Sequence, residues 1–321
     1  MAPNTPVTRN DGRKASMGLA LQAEPKIYTP PTNFVRLTGG GDLLPAWLER
    51  QSQAFRGTAF ETPADYAGQD WMGKNPTGEA TIDDVALFLE HMYGAPDGTT
   101  KIITPQDATQ WDTNFVMRPL SGQIRIPGLG YVKVRDIQTR ELTLTVPESR
   151  TDFVSWSAQM DAASSDYRAD GALGDFAPVA PIIPSYNGGL GRLDHSFTLA
   201  GQAYCPDGTS TARFYNPVEA LPACGEEIPG FAPGQDPIGV EFSTTFNRPM
   251  GTLIDASKTK AFLDYTWKLE RAGKLIEVTA RVQVSAREIP VGAGRVRTTA
   301  TFRARAETPG VSPFTIHVVT A

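Results

Sequence analysis

The sequence predicts a mainly β protein with a few helices, and three patterns support this prediction. Several segments of the 321-residue chain alternate apolar and polar residues, which is typical of strands with one buried face. One segment places apolar residues at helical spacing between a start and a stop signal. Glycine and proline are abundant, at 30 and 26 residues, which indicates many turns and long loops.

The N-terminal region predicts a flexible arm over residues 1–16, followed by extended structure to Leu37. The arm is polar and lacks the apolar core of a signal peptide. No apolar run is long enough to span a bilayer, so we expect a protein that starts as a soluble cytoplasmic product. Residues 39–78 show no sustained periodicity of apolar residues. They are predicted as a long loop that packs against another surface, such as a neighbouring subunit. Its aromatic residues, which argue against disorder, are Trp47, Phe55, Phe60, Tyr66 and Trp71.

The best helix signal covers Ile82–Tyr93. Thr81 can cap its first turn, and Asp84 lies at the third helical position, as in a capping box. Gly94 is predicted to end the helix. The apolar stripe that predicts its buried face consists of Ile82, Val85, Leu89 and Met92.

Alternating strands dominate the rest of the chain. In the first half they are Arg140–Val146 and Phe153–Met160. The second half carries Val240–Phe246, a helix at about Ala256–Tyr265 with Asp255 as its cap, and then Leu275–Ala286, Val296–Ala304 and Phe314–Val318. In both halves strands follow a helix directly. The shared order, together with similar helix cores at 88–90 and 262–264, predicts an internal duplication; coincidence in an α+β chain is the alternative.

The predicted domains follow from a break in composition. Residues 163–192 concentrate Ala, Asp, Gly, Pro and Ser and are predicted as a linker. A first β domain is therefore expected over residues 17–162 and a second over residues 193–321.

No residue pattern predicts catalysis, a metal or a cofactor. The three histidines, His91, His195 and His317, have no metal-ligand spacing, and His91 lies where a helix C-terminus favours a cation. Gly188–Gly191 lacks the context of a phosphate loop and is predicted as a turn. The sequence has two pairs of adjacent acids, Asp83-Asp84 and Glu226-Glu227. Adjacent side chains point in different directions, so neither pair is predicted to act as an acid–base couple.

Charge and cysteine content narrow the functional classes further. The net charge of −5 argues against a protein that grips nucleic acid through its phosphates. Cys205 and Cys224 are predicted as two thiols in a loop-rich stretch, with a disulfide between them as the alternative. Four arginines at positions of the same parity favour a subunit interface or a charged strand edge over a strip that binds anions such as nucleic acid, and a solvated outer face is the remaining alternative. They are Arg295, Arg297, Arg303 and Arg305.

The order of these features resembles the major tail tube proteins of long-tailed, non-contractile (siphovirus-type) bacteriophages. The resemblance covers most of the chain and rests on the order of its predicted elements and on their residue patterns, with no catalytic motif. It is carried by the extended segment 18–37, the helix 84–94 that ends in glycine, the strands Ile137–Val146 and Phe153–Met160, and the late pair 239–246 and 260–264. It implies a tail-tube fold, an antiparallel β-sandwich or half-barrel with a flanking helix. Two such units are expected in tandem.

The same resemblance implies a structural virion protein, not an enzyme, that is assembled in the host cytoplasm and resides in the virion tail. Its subunits form hexameric rings, or trimeric pseudo-hexameric rings if the chain holds two units, which stack into a hollow tube for DNA delivery. The implied partners are further copies, the tape measure protein and genomic DNA in the lumen, and tail terminator and tail-tip proteins at the ends. Other ring components (a terminator, baseplate, decoration or type VI-like tube protein) are the alternative. A carbohydrate-binding β-sandwich or an unrecognised hydrolase is less favoured.

Overall fold

The mainly β class is confirmed. The computed structural model describes residues 15–24, 26–39, 43–50, 65–105, 118–169, 173, 177–180, 188–204, 208–216, 218–221, 230–233, 237–246, 251–288 and 297–320. Antiparallel strands dominate these residues, and they include a closed barrel of six strands with many additional strands around it.

The first half of the chain builds the closed barrel. Its elements are β1 (Ser16–Leu21), β2 (Asn33–Gly39), β3 (Ala46–Arg50), β4 (Asp65–Lys74), β5 (Thr77–Glu79), α1 (Ile82–Tyr93), β6 (Ile102–Ile103), β7 (Leu120–Ile126), β8 (Gly130–Val146) and β9 (Ser155–Ala169). Hydrogen-bonded neighbours run β1-β2-β5-β9-β8-β7 and return to β1. Because the barrel is closed, each of these six strands has a hydrogen-bonded neighbour on both sides.

Helix α1 has the bounds that its sequence signals predict. The Thr81 hydroxyl accepts the Asp84 backbone N–H at 3.1 Å, and the Gly94 N–H donates to the Glu90 carbonyl. The buried stripe includes Val85 and Leu89, which are fully buried. The helix packs against β8, and Phe88 contacts the Trp156 ring of β9, with ring centroids 5.2 Å apart.

The second half builds a curled sheet. Its elements are β10 (His195–Leu199), β11 (Gln202–Tyr204), β12 (Ser210–Tyr215), β13 (Val218–Leu221), β14 (Gly230–Pro233), β15 (Gly239–Phe246), α2 (Gly251–Thr259), β16 (Leu263–Arg271), β17 (Lys274–Glu288), β18 (Thr298–Ala304) and β19 (Phe314–Val319). Hydrogen-bonded neighbours run β11-β10-β16-β17-β18-β15-β12. β18 and β19 lie in line along one edge of β17, and β13 pairs only with β14 among the described strands.

The strand pairings of the second half repeat those of the first. β10–β11, β10–β16, β16–β17, β17–β18 and β18–β15 correspond in chain order to β1–β2, β1–β7, β7–β8, β8–β9 and β9–β5. The helices also lie at the same point along the chain. α1 lies between β5 and β7, and α2 lies between their counterparts β15 and β16. This correspondence in topology agrees with the predicted duplication of one unit. The two parts are called the first unit (β1–β9) and the second unit (β10–β19) below.

The predicted strand faces are confirmed. Leu142 and Leu144 of β8 are fully buried, as are Ile276, Val278 and Val282 of β17. The buried apolar side chains of both units form one connected cluster. The two units therefore share a core, although the polar stretch between them was predicted as a linker. β9 runs to Ala169, so it includes the first seven residues of that stretch.

The predicted second helix is wrong in position. It was expected at about Ala256–Tyr265, but α2 covers Gly251–Thr259 and β16 already begins at Leu263. Lys260 has a φ of 55°, a left-handed conformation that ends the helix. The residues that follow bury every second side chain, Tyr265, Trp267 and Leu269, which is a strand pattern. The likeness between segments 88–90 and 262–264 is therefore not a likeness of helix cores.

The prediction of a loop over residues 39–78 is also wrong, because this stretch contains strands. β3 and β4 form a hairpin in which Ala46 pairs with Asp70. The far end of β4 pairs with β9, and β5 follows it along the same edge. The Trp71 indole N–H donates to the Leu43 carbonyl at 3.0 Å, which holds the segment before β3 against the barrel. Most of the predicted N-terminal arm, residues 1–14, lies outside the described residues.

Candidate assembly surface

The two units meet through two strand pairings, a short one between β6 and β19 and a longer one at one edge of β8. This edge pairs with β7 as far as Ile137, and from Glu141 to Val146 it pairs with β12 of the second unit. β12 pairs with β15 on its other side, so it connects the closed barrel to the second sheet. We call the β8–β12 pairing the inter-unit junction.

His91 of α1 completes the β8 edge at the gap between β7 and β12. Its Nε2 accepts the Thr139 backbone N–H at 3.1 Å, and its Nδ1–H donates to the Arg118 carbonyl at 2.6 Å. A carbonyl can only accept and an amide N–H can only donate, so the ring is neutral with its proton on Nδ1. Burial lowers the pKa of His91 to about 4, although the bond to the Arg118 carbonyl raises it. The expectation of a cation at this helix end is therefore not met.

Tyr93 and Asn216 attach the end of α1 to the junction. The Tyr93 hydroxyl donates to the Gly239 carbonyl at 3.1 Å, and the Asn216 side-chain amide donates to the Met92 carbonyl at 2.7 Å. The Asn216 backbone N–H donates to the Arg140 carbonyl of β8. Both side chains are buried, and an unpaired polar group there would cost free energy, so they fix how the units are joined.

Ion pairs between the units lie around this contact. Arg213 of β12 contacts Glu141 of β8 at 2.6 Å, directly at the junction. Lys274 of β17 contacts Asp83 of α1 at 2.7 Å. Both pairs are partly exposed, so each contributes little stability, and they favour one alignment of the units over others.

Several described strands have a partner on one side only: the short strands β6, β13 and β14, and two strands at the margins of the two units. β3 pairs only with β4, and β11 pairs only with β10. An open edge exposes backbone donors and acceptors that another chain can pair with. The open edges of β3 and β11, together with the end of β17 beyond its pairing with β16, form the candidate assembly surface.

Among the described residues, the polar side chains singled out in the sequence do not come together as a reactive site. No three of the His, Cys, Asp and Glu side chains that the structure describes could hold a metal ion. His195 is packed against the Trp267 ring, 5.2 Å away, and burial lowers its pKa to about 3. His317 lies half-buried on the outer face of β19. The three histidines therefore occupy three separate environments.

Asp84 has the most perturbed carboxyl group of those described. Burial raises its pKa to about 6, against the lowering effect of hydrogen bonds from Thr81 and Asn33. The Asn33 side-chain amide donates to its Oδ1 at 2.8 Å. A raised pKa can mark a catalytic acid, but this carboxyl lies in the first turn of α1 and links the helix to β2. Its geometry is that of a structural contact.

The glycine-rich segment, predicted as a turn, is extended at Gly191 and packs between two parts of the first unit. The Leu190 N–H donates to the Ala80 carbonyl at 3.0 Å, and the Leu190 carbonyl accepts the Val154 N–H at 2.8 Å. A side chain at Gly189 would meet the Phe153 ring at 3.0 Å. These bonds hold the start of the second unit against the barrel.

The described members of the predicted arginine strip have different partners. Within β18 the strip includes Arg303, whose Nε donates to the Tyr215 hydroxyl at 3.0 Å beside the junction. Arg297 precedes the strand and contacts Glu148 at 3.2 Å, and Arg305 follows it. The remaining members of the predicted sets, Arg295, Cys205, Cys224, Glu226 and Glu227, lie outside the described residues.

The junction residues were not singled out by the sequence. Tyr93 and Asn216 are 123 positions apart, and only the fold brings them to the same place. Comparison with known proteins adds no family: no protein-family model and no curated protein matches the chain. Among the described helices, neither has the length and apolar character needed to cross a membrane.

Proposed function

We propose that the protein is a structural tail tube subunit of a long-tailed, non-contractile bacteriophage, which assembles into stacked rings around a DNA channel. The observation that carries the proposal is the repeated topology. Two units with the same order of strands and helix are joined through strand pairing between β8 and β12. A chain built in this way is already a short segment of a ring of β units.

The symmetry of the proposed ring follows from this construction. A head-to-tail contact generates a closed ring if its rotation closes, and a filament if it does not. Each chain contributes two units, so three chains complete a ring of six units. The partners are then further copies of the chain within and between rings, the tape measure protein and DNA in the lumen, and terminator and tip proteins at the ends.

The charge of the chain supports a conduit rather than a nucleic-acid-binding protein. Acidic residues outnumber basic ones, 35 to 30. A channel whose wall is not basic does not retain phosphate by counterion release, so DNA can slide through it. The wall of this channel is formed by the chains of the assembled ring together.

Negative-stain electron microscopy of the purified full chain tests the proposal. At high protein concentration, or after tail-assembly partners are added, we expect hollow rods or stacked rings. Mass determination of single rings by native mass spectrometry should give three chains per ring. A protein that stays monomeric under all these conditions would refute the proposed function, and six chains per ring would refute the two-unit construction.

A further inference from the structure

β3 and β12 occupy the same place in the two units. β12 follows β11, pairs with β15, and β15 leads into α2. β3 follows β2 and pairs with β4, which continues through β5 into α1. β4 and β5 together line the edge of β9, as β15 lines the edge of β18. The two strands therefore correspond in chain order and in their pairing on one side.

The two strands differ on the other side. β12 pairs there with β8 of the first unit, over Glu141–Val146. No strand among the described residues pairs with the corresponding edge of β3. If β3 has a partner equivalent to that of β12, that partner is not among the described residues.

The end of β17 provides the matching edge. β17 corresponds to β8, and its pairing with β16 ends at Val282, just as the pairing of β8 with β7 ends at Ile137. Beyond Val282, β17 continues to Glu288 and pairs with β18 on its opposite edge. No described strand pairs with residues 283–288 on the β16 side. Arg287 in this segment has a buried Nη1 without a hydrogen-bond partner in the described part of the structure.

We propose that β3 of one chain pairs with the 283–288 edge of β17 in a neighbouring chain. This contact repeats between chains the junction that β12 and β8 form within one chain. Pairing satisfies both open edges with backbone hydrogen bonds, as in other cases of strand addition. It is a head-to-tail contact, because β3 belongs to the first unit and β17 to the second. The inference rests on the proposed ring-forming function and specifies which edges form the ring.

Disulfide trapping between two differently marked chains tests this contact. Both chains carry Cys205→Ser and Cys224→Ser. One chain receives a cysteine in β3, Leu48→Cys or Glu49→Cys, and the other receives one in β17, Gln283→Cys or Arg287→Cys. After co-assembly and mild oxidation, non-reducing electrophoresis should show a dimer of the two marked chains for at least one of the four combinations. Either chain assembled alone should give no dimer.

The intrachain junction supplies a matched control. Thr143 and Arg213 are direct register partners on β8 and β12. The double variant Thr143→Cys, Arg213→Cys should form its disulfide within one chain, which changes the mobility of the monomer and yields no dimer. This control shows that the oxidation conditions trap neighbouring strands.

The outcomes separate this inference from the proposed function. Rings or rods with the mixed dimer support both. Rings or rods that give no mixed dimer in any of the four combinations, while the control disulfide forms, overturn the β3–β17 contact and leave the tube function standing. Dimers between two chains marked only in β3 also overturn it, because they indicate a symmetric contact. A folded monomer without rings overturns both proposals.

Discussion

Replacing His91 with glutamine should change how stability depends on pH. His91 is neutral in the folded protein, with a pKa of about 4, whereas an unfolded histidine titrates near 6.5. As pH falls below 6.5, the unfolded state takes up a proton that the folded state does not accept. The contribution of His91 to stability is therefore present above pH 6.5 and is lost as pH falls toward 4.

The magnitude follows from the two pKa values. At pH 5 the unfolded histidine is almost fully protonated and the folded one is about one-tenth protonated. This difference corresponds to about 2 kcal/mol of stability lost relative to pH 7. Glutamine does not titrate, so the penalty for His91→Gln, measured against the parent protein, should be smaller at pH 5 than at pH 7 by about 2 kcal/mol. The titration of Asp84 and His195 is common to both proteins and cancels in this difference.

Urea unfolding followed by tryptophan fluorescence measures this effect, since the chain contains five tryptophans. The unfolding midpoint must be independent of protein concentration, so that assembly does not contribute. Leu89→Ala is the control, because it removes a buried apolar side chain from the same helix. Its cost of about 3 kcal/mol should be equal at both pH values. An unchanged penalty for His91→Gln between pH 7 and pH 5 would refute the neutral, buried state of this histidine.

Two further substitutions test the junction and the barrel. Asn216→Ala leaves the buried Met92 carbonyl without its donor and should cost about 2 kcal/mol in chemical unfolding, whereas Asn75→Ala, at an exposed bond, should cost less than about 0.5 kcal/mol. Equal costs for the two would contradict the buried role of Asn216. Gly78→Ala places a Cβ against the β2 backbone and the Trp156 ring and should lower stability by about 3 kcal/mol or more, while Gly98→Ala, in open space, should be nearly neutral. A thermal melt that Gly78→Ala leaves unchanged would show that this close approach is not present in solution.

The sequence predicted the elements whose signals are local. The bounds of α1 follow from Thr81 and Gly94, which act on the backbone of the same helix. The buried faces of β8 and β17 follow from alternation, because the side-chain period of a strand is fixed by its geometry. The prediction for α2 was wrong because aromatic residues at 262 and 265 fit the apolar stripe of a helix as well as a strand. In addition, lysine is not a residue type that predicts the left-handed conformation found at Lys260.

The candidate assembly surface could not be predicted in the same way. Alternation shows which face of a strand is buried and does not show which strand lies beside it. The pairing of Arg213 with Thr143 joins positions 70 residues apart, and nothing in either segment specifies the other. Likewise, the pattern around His91 indicates a helix end, but the neutral state of this histidine depends on Arg118 and Thr139, which only the fold places next to it.

The inter-unit junction also explains why the second unit is open where the first is closed. In the first unit β2 pairs with β5 and completes the barrel. In the second unit the corresponding edge of β15 pairs with β12 over residues 239–244, and backbone groups that already bond to one strand on that side cannot bond to another. β11 is therefore left without hydrogen bonds to β15.

Aromatic side chains fill the resulting seam between β11 and β15. The Tyr204 ring of β11 meets the Phe246 ring of β15 edge-on at 5.8 Å, and Phe197 meets Phe246 at 5.9 Å. Phe197 also stacks with Tyr265 at 5.6 Å. Large rings can hold two sheet edges together by packing where backbone bonds are missing, since each pair adds attraction beyond its buried area. The second unit thus pairs β12 with the first unit and has no pairing between β11 and β15, and aromatic packing holds these two strands together instead.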